Sequence, residues 1–104
     1  MAEDVRELSE SPIEQGVDER ISYRLDTTTW GGGPTPTSVA VSIYDSNRTD
    51  LSSTKLSGAA SIADEYVSTP LVVDLEDGKL YRLEIKFVVS GQTFEPYCYI
   101  YGKL

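Results

Sequence analysis

The residues of this chain that could do chemistry are carboxylates. Asp64–Glu65 and Glu76–Asp77 are adjacent pairs, and "DSNRTD" (45–50) places Asp45, Asn47 and Asp50 in one short stretch. Paired carboxylates hydrolyse glycosides when they flank a cleft at a defined separation. These pairs fall in stretches that read as loops, where acids are solvated, so no catalysis is expected from them. "DSNRTD" has part of the oxygen set of a calcium loop but neither its glycine nor its distal bidentate glutamate, and it reads as a plain turn. The chain has no histidine. That removes Ser-His-Asp and Cys-His nucleophile systems and histidine metal ligation. Cys98 is the one cysteine. It cannot form an intrachain disulfide or, alone, make a zinc site, and among apolar strand neighbours it reads as a buried structural thiol. "WGGGPTP" (30–36) has glycines but not the following helix or Lys-Ser/Thr of a phosphate loop. The expectation is a non-enzymatic protein with no cofactor and no metal.

What remains is contact chemistry. "TFEPYCYIYGK" (93–103) puts Tyr97, Tyr99 and Tyr101 on one face of a strand and Phe94, Cys98 and Ile100 on the other. Tyrosine offers a rigid apolar body and a polar tip, which suits an interface. The alternative is cross-strand packing beside Arg82, Glu84, Lys86 and Val88, and both readings stay open. Trp30, next to the glycine loop, is either a plug of the core or an interface anchor. Residues 1–20 hold the acids Glu3, Asp4, Glu7, Glu10, Glu14, Asp18 and Glu19 against Arg6 and Arg20. They read as a solvated arm or as a docking arm for a basic neighbour, with Glu3, Asp4 and Glu7 as candidate contacts.

Seventeen acids against nine bases give a net charge of −8. Such a surface repels phosphate backbones and anionic lipid, so neither nucleic acid nor membrane is an expected partner. "MAEDVRELSESP" lacks the basic and apolar regions of a signal peptide. No apolar run approaches the roughly 18 residues that span a bilayer. The expected division is an acidic arm or first edge strand over 1–17 and a single small domain over 18–104.

The elements that must position these residues are strands. A first strand is predicted over "DVRELS" (4–9). "ERISYRLDTT" (19–28) alternates, with Ile21, Tyr23 and Leu25 on one face. "SVAVSIYD" (38–45) alternates again, with Val39, Val41 and Ile43 inward. "LSSTKL" (51–56) is predicted as a short edge strand. "YVSTPLVVDL" (66–75) is a strand carrying Pro70, which cannot donate to a ladder and so marks an edge or a bulge. "KLYRLEIKFVV" (79–89) sets Tyr81, Leu83, Ile85, Phe87 and Val89 on one face. "SGQ" (90–92) then turns the chain into a long final hairpin.

About seven strands in about 100 residues predict a two-sheet sandwich. In "LEDGKLYRLEI" (75–85), Gly78 supplies a turn and Tyr81 follows three residues later. That spacing matches a tyrosine corner, in which the hydroxyl bonds back to backbone at the turn preceding its strand. The fold class expected is an all-β, Ig-like (fibronectin III-like) Greek-key sandwich without a disulfide.

"TTTWGGGPTPTSVAVSIYD" and "TPLVVDLEDGKLYRLEIKFVVSGQTFEPYCYIYGKL" together resemble small Ig-like structural or accessory proteins of tailed bacteriophages, over roughly residues 18–102. The resemblance implies a virion component (capsid decoration, neck or tail accessory) without catalytic residues. It would be assembled in the host bacterial cytoplasm, contacting capsid, portal, neck or tail proteins, within a symmetric homo-oligomer of the particle. Two alternatives are a carbohydrate- or host-surface-binding module using Trp30 and the tyrosines, and a cytoplasmic protein-binding adaptor.

Overall fold

The computed structural model describes residues 12–28, 30 and 35–104. Glu3, Asp4, Glu7 and the strand expected over 4–9 lie outside the described residues. Those described form two β-sheets packed as a sandwich. In chain order the strands are β1 (Ile13–Gly16), β2 (Ile21–Asp26), β3 (Ser38–Tyr44), β4 (Leu56–Ser57), β5 (Ser61–Ala63), β6 (Tyr66–Val72), β7 (Leu80–Val89), β8 (Gln92–Phe94) and β9 (Tyr97–Lys103). One sheet runs β1-β9-β7-β3, with β8 also on β7; the other runs β2-β6-β4, with β5 also on β6. β1 is parallel to β9, and the other pairings are antiparallel. Pairing the second strand with the sixth, and the third with the seventh beside the last, is the Greek-key arrangement of an immunoglobulin-like sandwich. No disulfide joins the sheets, since the single cysteine, Cys98, is simply buried.

The alternation read along each strand becomes the core. Tyr81, Leu83, Ile85, Phe87 and Val89 of β7 are all buried, and Ile43, Val67, Val72, Cys98 and Ile100 face them or flank them. The final hairpin is longer than its two named strands suggest. Phe87 pairs with Phe94 and Leu83 with Cys98 in one unbroken register. Pro96 interrupts the assigned ladder because it has no N–H, yet its carbonyl still accepts from Ile85 N at 2.9 Å. The turn is two residues, Ser90 (φ 53°) and Gly91 (φ 76°), the positive-φ pair that matches the twist of a hairpin.

Pro70 sits in a strand with neighbours on both sides, not at an edge. It is tolerated because the β2–β6 register shifts between Ser22 and Arg24. On the other side, β4 and β5 pair only with 71–72 and 66–68, so no ladder donor is asked of Pro70. This is the bulge that proline in a strand requires.

The stretch 51–56 corrects an expectation. Instead of an edge strand, Ser52–Lys55 form a single helical turn, α1, and only Leu56–Ser57 pair as β4. Asp50 Oδ1 accepts from Ser52 N at 2.8 Å and Ser52 Oγ at 2.6 Å. The Leu51 carbonyl accepts from Thr54 N and Lys55 N. Ser and Asp side chains offer the backbone local partners that compete with a ladder, and here they win.

The tyrosine corner is present. The Tyr81 hydroxyl accepts from Glu76 N at 3.0 Å, across a turn in which Gly78 has φ 79°. Tyr81 is nearly wholly buried, and burial raises its hydroxyl pKa. Tyr81→Phe keeps the ring and strands that N–H; the expected loss is about 1–2 kcal/mol, measured by urea unfolding with an unchanged slope. A loss below about 0.5 kcal/mol, the level of an indifferent surface change, would show that the corner does not stabilise the turn.

Gln15 ties the two sheets where β1 meets β2. Buried in β1, it donates Nε2 to the Val72 carbonyl at 2.8 Å and the Glu19 carbonyl at 3.1 Å, and its Oε1 accepts from Tyr23 OH at 2.7 Å. Tyr23's hydroxyl is pushed up to about 12, first by burial and then by Cys98 and Glu19. A buried amide with its partners supplied is compatible with a stable core.

Candidate binding face

The chemistry-bearing residues gather on the outer face of the β1-β9-β7-β3 sheet. Because Ile100, Cys98, Leu83 and Ile43 point inward, their neighbours in sequence point out. Three cross-strand rows result. Leu80 pairs with Tyr101, which pairs with Glu14 of β1. Arg82 lies between Tyr99 and Tyr44, and Glu84 between Tyr97 and Ser42. Strands about 4.8 Å apart put side chains of one row in contact.

Arg82 organises the face. Its Nε donates to Glu84 Oε2 at 2.7 Å. Its guanidinium carbon lies 3.8 Å from the Tyr97 ring centroid, and one terminal nitrogen reaches the Tyr99 hydroxyl at 3.4 Å. Tyr97 and Tyr99 meet edge to face with centroids 5.7 Å apart. Lys103 Nζ lies 6.0 Å from the Tyr101 ring. Tyr97 and Tyr99 therefore do pack across to Arg82 of β7, as one reading of the sequence had it, and all three tyrosines are half-exposed. Stacked rings and a paired guanidinium lose little rotamer freedom when a partner covers them, which favours binding.

Between this face and the turn after β3 lies a groove of about 440 Å³, lined among others by Tyr44, Asp45, Arg48, Arg82, Glu84 and Tyr99. Asp45 Oδ1 accepts from Asn47 N and Thr49 N, both at 2.9 Å, which folds "DSNRTD" into a turn. Arg48 takes φ 66° there. Hydrogen bonds from the Ser52 side chain and backbone hold the Asp50 carboxyl below its usual range. No group of three or more metal-ligating residues occurs among the described residues.

Trp30 stands elsewhere. Its ring meets Phe87 at 5.7 Å and Phe94 at 5.4 Å, both edge to face, so it packs on the core at the opposite end of β7 from the groove. Gly78 and Tyr81 serve the turn below the face and do not project from it. Reading the sequence passed over Tyr44 and Arg48, and took Asp45 only as part of a plain turn. Tyr44 ends β3 one position after the inward Ile43, so its outward direction was legible. That it shares a row with Tyr99, across Arg82 and 55 positions away in the chain, was not.

No helix among the described residues is long and apolar enough to cross a membrane. Comparison with protein-family models, with curated proteins and with solved structures returns no match to this chain.

Proposed function

We propose that this chain is a non-enzymatic contact module, and that it serves as a structural protein of a tailed-phage particle in the decoration, neck or tail position. The observation that carries the contact role is the outer face itself: Tyr97, Tyr99 and Tyr101 in line, the first two braced by Arg82, which pairs with Glu84. Tyrosine and arginine are the residues that most often dominate binding energy in protein interfaces. The sandwich behind them is a rigid support. The phage setting rests on the resemblance of the sequence, and with it the partners, which are other virion proteins assembled in the host cytoplasm.

Mass spectrometry of purified particles tests the setting. Presence at a stoichiometric copy number supports the reading, and absence from intact particles overturns it. The face is tested on the same particles. Tyr101→Ala is expected to lower incorporation at least about tenfold, the effect of losing an interface hot spot, while the isolated domain stays folded. Normal incorporation of that variant would remove the face from the contact.

A further inference from the structure

The groove beside Tyr99 has a lining whose chemistry singles out a ligand class. It carries two carboxylates, Asp45 and Glu84, and two guanidinium groups, Arg48 and Arg82. Its charge sums to zero in a chain of net charge −8. An anion there would face two carboxylates and a cation two arginines. A wholly apolar ligand would strip water from four charged groups without replacing their hydrogen bonds.

Both donors and acceptors are still available. Asp45 uses Oδ1 for the turn and Glu84 uses Oε2 for Arg82. The other oxygen of each takes no hydrogen bond within the described residues, and neither does the Arg48 side chain. Planar carboxylate and guanidinium groups are suited to paired hydrogen bonds with adjacent hydroxyls. Tyr44 and Tyr99 stand on either side of Arg82 in one row. Two strand spacings separate them, roughly 10 Å, with the Arg82 side chain between, so a ring would lie against their faces and over Arg82. The volume of about 440 Å³ falls in the range of small-molecule sites.

We infer that this groove is a binding site for a neutral saccharide, with a sugar ring packed on Tyr44 and Tyr99 and its hydroxyls held by Asp45, Glu84, Arg48 and Arg82. The site goes beyond the protein-contact role and differs from a sugar platform built on Trp30, which the core takes up.

The test is a titration of the isotope-labelled protein, followed by amide chemical shifts, with glucose, galactose, mannose, N-acetylglucosamine and their common disaccharides. Glycine serves as a zwitterionic control, because a zwitterion would also match a neutral lining. The expected result is saturable shifts with at least one sugar, confined to 44–48, 80–84 and 97–99. Tyr44→Ala and Tyr99→Ala should each weaken that binding about tenfold, the upper end of an aromatic stacking contribution, with spectra that otherwise show an intact fold. Glu84→Gln, which keeps the shape, should weaken it as well. Tyr101→Ala should leave sugar binding unchanged. It is also the variant that disables the proposed protein contact, so failure of one reading is distinguishable from failure of the other. No saturable shift with any of these sugars overturns the inference. So do shifts centred on Trp30, unchanged affinity in both tyrosine variants, and binding of glycine alone.

Discussion

Gly102→Ala is expected to destabilise the domain by about 3 kcal/mol or more, at or above the usual range for overpacking. Gly102 lies in β9, buried beneath the turn that carries the tyrosine corner. Its N–H donates to the Lys79 carbonyl at 2.9 Å, and its carbonyl accepts from Gly78 N at 3.0 Å. A Cβ there would overlap the Glu76 carbonyl oxygen and come within 3.0 Å of the Glu76 carbonyl carbon. The obstacle is backbone, so no side-chain rotation relieves it. Either β9 leaves β7 at its end, or the turn shifts and takes the Glu76 N–H away from Tyr81. Thermal unfolding should show a midpoint about 12 °C lower or more, from the entropy of unfolding of a domain this size. A midpoint within about 3 °C of the parent would mean that the turn yields without strain, and that the close approach at Gly102 is incidental.

Phe87→Ala is expected to cost about 3–5 kcal/mol, the range for truncating a buried phenylalanine. Phe87 is fully buried in β7, 5.6 Å from the Phe94 ring and 5.7 Å from Trp30. Removing it leaves a cavity under both rings, and each loses an aromatic partner worth about 0.5–1.5 kcal/mol beyond burial. Trp30 is the single tryptophan, so its fluorescence reports this cluster alone. The folded variant should emit at longer wavelength as water reaches the indole. Val88→Ala, one residue along on the outer face, should do neither. An unshifted emission maximum with parental stability would place Trp30 away from Phe87 and undo its place on the core.

How much could be read beforehand differs by element. β7 was legible to within a residue, because five inward residues at period two admit one strand and one face. The final hairpin was legible as a hairpin but not in register: the turn expected over 90–92 is only Ser90–Gly91, and Gln92 already pairs with Val89. Tyr81 and Gly78 were readable as a corner because the motif is local. The segment 51–56 was misread. Its apolar residues are too few to set a period, and the outcome depended on Asp50 reaching Ser52. Pro70 could be narrowed to an edge or a bulge, but only the register shift between β2 and β6 decided for the bulge.

The sequence by itself determined that this is an all-β chain with alternating strands, that it has one cysteine and no histidine, and that Tyr97, Tyr99 and Tyr101 share a face. These are properties of residue type and spacing within a few positions. The tertiary structure alone decided that Trp30 belongs to the core, that Gly102 must be glycine, and that Tyr44, Arg82 and Tyr99 stand in one row over a neutral groove. Each of these depends on which strands become neighbours. That is set by packing two whole sheets against each other, and no local pattern encodes it.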